Sequence, residues 1–274
     1  MGRQTLNIPD HRVMNTTPSN LEPERVSLAG GWVHKLTMTE TIDRIDHAIA
    51  AHQGGWVVTP NLDILHKLTT DDSFAKLVEP ATIRVADGMP LIWASKIAGN
   101  PLPERVAGSD LVWHLCERAA ERGYSIFLLG GDEGIAERAA RVLEAKYPGL
   151  RIAGTHCPPF GFEKDPEHMD LIRSKLSQTK PTIVLVALGC PKQERLIDTL
   201  RHDFQETWFF GIGISLSFVT GDVRRAPAWA RKLGLEWAHR LLQEPGRLAR
   251  RYLVVGIPFA ARLFIGAALA RFRG

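Results

Sequence analysis

The chain has 274 residues, a formal net charge of +4, 45% hydrophobic and 23% charged residues. That is enough for one large domain with a sizeable core, or a domain plus an appendage, and it argues against a disordered or fibrous chain. Three widely spaced cysteines, Cys116, Cys157 and Cys190, argue against a disulfide framework, and neither they nor the ten histidines fall at metal-ligand spacing.

Residues 1–26 are polar, rich in Asn, Pro and Thr, and lack an apolar segment. A flexible start without a signal peptide is expected there. From 27 to 221 short apolar runs alternate with amphipathic stretches. Thr39–Ala51 places Ile42, Ile45 and Ile49 at helical spacing. Trp56–Thr59 reads as a strand ending at Thr59-Pro60-Asn61, and Thr82–Ala86 as one ending at Asp87-Gly88. In an open α/β sheet, ligands bind outside the carboxyl ends of strands. A hydroxyl, an amide and a carboxylate delivered there suit a polar substrate and a proton transfer. Asn61 and Asp87 are equally suited to capping the helices that follow.

Helices are expected over Ser109–Arg122, with Ser109 as N-cap, and over Glu133–Tyr147, with Gly123 and Gly149 at the C-terminal ends. Further strands are expected at Ser125–Leu129, Arg151–Thr155, Thr182–Leu188 and Thr207–Ile212. Three of the strands run into glycine turns. Gly130-Gly131 precedes a helix whose start could hold a phosphate. It is neither a dinucleotide fingerprint nor a Walker sequence, which leaves a nicotinamide-dependent oxidoreductase without its expected motif. Gly189-Cys190-Pro191-Lys192-Gln193 repeats the pattern, with Pro191 expected at the first helical position and Lys192 and Gln193 placed for an anionic or sugar-like ligand. Gly211-Ile212-Gly213 is the third turn. The alternation predicts a Rossmann-like, mostly parallel α/β sheet with helices on both faces.

After Gly221 the texture changes. Residues 221–274 hold eleven Lys/Arg and three acids, a net +8 against −4 for the rest. An acidic body with a basic tail points to an anionic surface or ligand at the tail. Ala226–Gln243 reads as one amphipathic helix with Trp229, Leu233, Trp237 and Leu241 on a stripe. Glu244-Pro245-Gly246 is a break, and Leu253–Ala270 is an apolar run interrupted by Gly256 and Pro258. Residues 222–274 are therefore expected to form a helical hairpin lying on a membrane surface. A tail helix packed on the core is the competing reading.

Taken in order, Thr59-Pro60-Asn61, Ala86-Asp87-Gly88, Pro101-Leu102-Pro103-Glu104-Arg105-Val106-Ala107-Gly108-Ser109-Asp110, Leu188-Gly189-Cys190-Pro191-Lys192-Gln193-Glu194, Arg225-Ala226-Pro227 and Leu235-Glu236-Trp237 resemble the WecG/TagA/CpsF family of bacterial glycosyltransferases. The resemblance implies an inverting, metal-independent transfer, without a cofactor, from a UDP-sugar to a polyprenyl-diphosphate-linked sugar. It implies a peripheral place on the cytoplasmic side of the bacterial inner membrane, a cell-envelope polysaccharide as product, and no nucleic-acid partner; a homo-oligomer is compatible with it. Donors of the N-acetylmannosamine, uronic acid and glucose types all occur in the family. Asp87 corresponds to the family's proposed base, Thr59 and Asn61 to its acceptor-side residues, and Arg105 and Gln193 to substrate-binding positions. Gly130, Gly131, Gly189, Lys192 and Gly213 complete the expected donor side. Arg240, Arg247, Arg250 and Arg251 are the expected partners of the lipid diphosphate and membrane. Leu216-Ser217-Phe218 stands where Phe-Asp is common in the family, which leaves a non-catalytic nucleotide-binding component of an assembly complex as the alternative.

Overall fold

The computed structural model describes residues 22–272. Six parallel strands form one sheet in the order β4-β3-β8-β7-β5-β6. They are β3 (Gly55–Val58), β4 (Ile83–Arg84), β5 (Ser125–Gly130), β6 (Arg151–His156), β7 (Ile183–Ala187) and β8 (Trp208–Gly211). All six coincide with the expected apolar runs. β5 and β7 are buried at every position, as strands covered on both faces must be.

Alternation along each strand feeds two cores. Ile126 and Leu128 of β5 face a layer built by α1 (Met38–Ala50), α5 (Gly108–Arg122), α6 (Ile135–Lys146) and α9 (Ser215–Thr220). Phe127 and Leu129 face the opposite layer of α2 (Leu62–Thr70), α3 (Asp72–Val78), α7 (Pro166–Thr179) and α8 (Lys192–Leu200). A third cluster lies outside the sheet. An antiparallel ribbon of β1 (Arg25–Leu28) and β2 (Gly31–His34) packs there with α4 (Met89–Ile97). This ribbon was not expected from the sequence, and β1 begins inside the segment expected to be flexible; residues 1–21 lie outside the described residues.

Local chemistry explains the helix ends. α1 opens with a capping box, in which the Thr37 hydroxyl accepts from the Glu40 amide and Glu40 accepts from the Thr37 amide. α5 begins one residue earlier than expected, with Ala107 rather than Ser109 at the cap and no side-chain cap. Gly123 closes it at φ 74°. α6 starts only at Ile135, because Gly131 and Gly134 turn the chain at positive φ first, and Tyr147 rather than Gly149 ends it. Pro191 sits at the cap of α8, not inside its first turn.

The tail departs most from expectation. The amphipathic stretch is two helices, α10 (Ala228–Lys232) and α11 (Glu236–Gln243), separated at Gly234 with φ 66°. After Glu244 the chain forms one continuous helix from Pro245 to Arg271. It comprises α12 (Pro245–Ala249), a π-helical stretch over Arg250–Gly256 and α13 (Ile257–Arg271). Gly256 and Pro258 do not interrupt it: the wider π turns absorb the proline, which stands in the first turn of α13 where its missing N–H costs least. α13 lays Phe259, Leu263 and Ala267 against α4 and the ribbon. Its other side exposes Ile257, Ile265 and Leu269. The helix is long and apolar enough to cross a membrane by length and composition, yet one stripe of it is packed on the body.

Candidate active site

A cleft of about 1170 Å³ opens at the carboxyl ends of β3, β4, β5, β7 and β8, where the topology places a site in this fold class. The loops after β3 and β4 run side by side. The Val85 amide donates to Val58 O at 3.1 Å and the Asp87 amide to Pro60 O at 2.8 Å. Asp87 is thus held by an extension of the sheet rather than by a free loop. Gly88 follows at φ 151° and admits the turn into α4. Asn61 caps α2 through its Oδ1, which accepts from the Asp63 and Ile64 amides at 3.1 and 3.0 Å, while its side chain also lines the cleft. Asp87 caps nothing on its own helix. Its Oδ2 accepts instead from the Gly108 amide at the start of α5, 3.3 Å away. Thr59 lines the cleft close by; a Cβ on Gly108 would lie 3.2 Å from its hydroxyl.

Asp87 sits at the foot of the cleft with about a quarter of its side-chain surface reachable. Burial pushes its carboxyl up to about 6; Glu236 and Asp110 reinforce the rise, and Arg105 and the Gly108 amide oppose it. Around it stands an ion-pair network linking core and tail. Arg105 Nη1 donates to Glu236 Oε2 at 2.9 Å and lies 3.9 Å from Asp87 Oδ1, while Nη2 donates to Asp110 at 3.1 Å. Arg225 Nη1 donates to Asp110 at 2.7 Å, with Arg231 3.6 Å from the same carboxylate. Burial alone would raise Asp110, but Arg225, Arg105 and Arg231 hold it below the usual carboxylate range.

The glycine turns differ from expectation in one respect. The Gly131 amide donates to Ala187 O at 2.8 Å, and the Gly189 and Gly213 amides both donate to Gln193 Oε1, at 3.2 and 3.0 Å. These three N–H groups therefore do not face a ligand. The turns line the cleft by lacking side chains. Gln193 is nearly fully buried and staples two of them, its Nε2 donating to Glu194 at 2.9 Å. Gly130 lies outside the lining: a Cβ there would stand 2.7 Å from Ala187 O, so its role is close strand packing. Lys192 is at the rim, paired with Glu163 at 3.1 Å and 4.3 Å above the exposed ring of Phe160.

The tail supplies the opposite wall. Arg231, Arg240, Arg247 and Arg251 line the cleft, with Arg251 paired to Asp63 at 2.8 Å and Arg247 to Glu244 at 2.5 Å. Arg250, expected among them, is exposed and does not line the cleft. Asp110, Arg225, Arg231 and Glu236 had no expected role. Three of them lie within the quoted motifs, but only the fold shows that residues so far apart in sequence meet. Among the described residues, no group of three His, Cys, Asp or Glu side chains is placed to hold a metal ion.

The chain matches the profile described as the Glycosyl transferase WecG/TagA/CpsF family over residues 26–273. It is 31% identical over 199 residues to an N-acetylglucosaminyldiphosphoundecaprenol N-acetyl-beta-D-mannosaminyltransferase of Bacillus spizizenii, covering 73% of this chain and 75% of the relative. A protein of the same name from Bacillus subtilis is 30% identical, over 78% of this chain and 81% of its own. One from Staphylococcus aureus is 31% identical, over 82% and 87% respectively. With a parallel α/β sheet, a cleft at its carboxyl edge and this coverage, the chain belongs to the WecG/TagA/CpsF family of glycosyltransferases.

Proposed function

We propose that the protein is an inverting transferase that moves a sugar of the N-acetylmannosamine type from a UDP-sugar to a polyprenyl-diphosphate-linked sugar, with Asp87 as general base. The observation that carries this is Asp87 itself: one carboxylate, raised to about 6, at the foot of a large cleft between glycine turns and an arginine wall. A base working near neutral pH needs that combination of access and proton affinity. The names of the relatives favour the acceptor class and the sugar.

In the step, an Asp87 oxygen takes the proton of the acceptor hydroxyl. The hydroxyl oxygen bonds to the anomeric carbon from the face opposite the phosphate. The bond from that carbon to the β-phosphate oxygen breaks, and its electron pair leaves with UDP. Thr59 and Asn61 orient the acceptor beside Asp87. The leaving charge falls to Lys192 and to the arginines of the tail, with no metal required. The Nε atoms of Arg231, Arg240 and Arg251 are buried without a hydrogen-bond partner among the described residues, so this wall carries more donors than its own acceptors satisfy. Arg105 steadies the reacting centre, and Gln193 keeps the donor-side turns in place.

The exposed apolar side of α13 and the tail arginines support a peripheral seat on the cytoplasmic side of the inner membrane, where lipid-linked acceptors reside. The test is UDP release from a panel of UDP-sugars, with and without a polyprenyl-diphosphate-linked N-acetylglucosamine. Acceptor-dependent release from UDP-N-acetylmannosamine is expected. UDP binding without release from any donor would overturn the proposal in favour of a non-catalytic nucleotide-binding component.

A further inference from the structure

Arg105 is contested. Its Nη1 lies 2.9 Å from Glu236 and 3.9 Å from Asp87, so the guanidinium is committed to a carboxylate of the tail and only near the one in the core. Its other arm is held by Asp110. Glu236 in turn comes from α11, beyond the Gly234 break, and Arg225 stands 3.9 Å from it. The core alone would leave Arg105 with two carboxylate partners, Asp87 and Asp110. The tail adds a third and draws the guanidinium toward itself.

We propose that Glu236 is a positioning residue for the transfer step: by engaging Arg105 it holds the guanidinium off Asp87, leaving that carboxylate free to take the acceptor proton only while the tail is docked. The inference rests on the reading of Asp87 as the base. A carboxylate in a short charge-assisted pair with a guanidinium gives up its lone pairs to that partner and is a poor proton acceptor. One that keeps a gap of 3.9 Å retains them. The groups facing Asp87 are Arg105 from the loop before α5, the Gly108 amide and Asp110 from α5, and Arg225 and Glu236 from the tail. Removing the negative charge of Glu236 leaves the cations in the majority and frees Nη1 to close on Asp87. An undocked enzyme would then carry its base in an idle ion pair. Transfer would be coupled to closure of the tail by a single shared guanidinium.

The experiment is a rate–pH profile of the full-length protein carrying Glu236→Gln, with lipid-linked acceptor and donor, beside Glu236→Asp and Asp87→Asn. Glu236→Gln is expected to move the acid limb of kcat to lower pH and to lower the plateau by about tenfold, less than the roughly 10²–10⁴-fold loss on removing a general base. The acceptor KM should change little, and Glu236→Asp should recover part of the rate. Should Glu236→Gln be too slow to profile, a carbon NMR titration of the Asp87 carboxyl reads the same shift toward lower pH in the folded protein. An unmoved limb or titration with a raised acceptor KM would show that Glu236 only glues the tail in place, and would overturn the inference. Retained turnover in Asp87→Asn would instead remove the base reading on which it rests. An inactive Asp87→Asn with an unmoved Glu236→Gln profile would leave that reading standing and sink this one alone.

Discussion

Replacing Asp87 by Asn should separate catalysis from stability. At pH 7 an acid that titrates at about 6 is about nine-tenths ionised, so the carboxylate proposed as the base is in its proton-accepting form at working pH. Asn keeps the size and can still accept from the Gly108 amide, but it takes no proton; turnover should fall by roughly 10²–10⁴-fold while UDP binding persists. The same change should stabilise the fold. The ordinary carboxyl value of 3.8 is raised to about 6 in the folded protein, so the folded state binds the proton more tightly than the unfolded one. Below about pH 4 both states are protonated and no cost arises; between about 4 and 6 the cost grows, and above that it is complete. Its upper bound is about 3 kcal/mol, and access through the cleft reduces it to about 1–2 kcal/mol. A gain of that size is about 2–8 °C in melting temperature for a domain of this length. Acceptor-dependent UDP release and thermal melts at pH 4 and pH 7.5 are the assays. Near-normal turnover would refute the base, and a melting temperature that falls at pH 7.5 would refute the argument from burial.

Arg105→Ala leaves Glu236 and Asp110 short of a cation and should cost roughly 3 kcal/mol, read by denaturant unfolding; a change below about 0.5 kcal/mol would mean the network is ornamental. Gly211→Ala would set a Cβ 2.6 Å from Gln193 Nε2, so the amide should leave the Gly189 and Gly213 turns and donor KM should rise about tenfold in steady-state kinetics; an unchanged KM would show the staple to be dispensable. Val254→Asp with Leu269→Asp should weaken binding to anionic liposomes without lowering the melting temperature, because both residues are exposed. Deleting 245–274 should abolish liposome binding too, but it also uncovers Val26, Leu28 and Leu91, so that variant should melt lower as well. Unchanged flotation with liposomes in either case would overturn the membrane reading of α13.

The sheet was readable because its strands are short apolar runs ending in turn residues, and because β5 and β7 each carry an unbroken apolar run, Ile126 to Leu129 and Ile183 to Ala187. The ribbon was not readable. Val26, Leu28 and Val33 alternate over only four residues per strand, and their partner Leu91 lies in α4, so no local pattern announces the cover. Asp87 and Asn61 stood out as polar residues at strand ends. Gln193 was singled out for a ligand, and it does line the cleft, but its Oε1 accepts from the Gly189 and Gly213 amides and its Nε2 donates to Glu194; type and position alone do not announce those partners. The continuous tail helix was obscured by Gly256 and Pro258, residues that break an ordinary helix but sit comfortably at a π-helical stretch. Asp110 and Glu236 lie within the quoted motifs, but nothing local says that they meet through Arg105, because an ion-pair network between distant segments is a property of the fold.

The packing of α13 on α4 has a geometric consequence. α4 begins at Met89, immediately after Gly88, and the two helices share a core with the ribbon. The proposed base and the outward apolar side of α13 are therefore parts of one stiff lever. On the proposed seating, whatever depth α13 finds in a lipid surface sets the height of Asp87 above it. A sugar joined to a polyprenyl diphosphate also stands at a set height, given by the length of its phosphates. On the function proposed above, the two heights would act as a ruler, selecting a first sugar next to the lipid over later residues of a growing chain by elevation, before any hydroxyl is recognised.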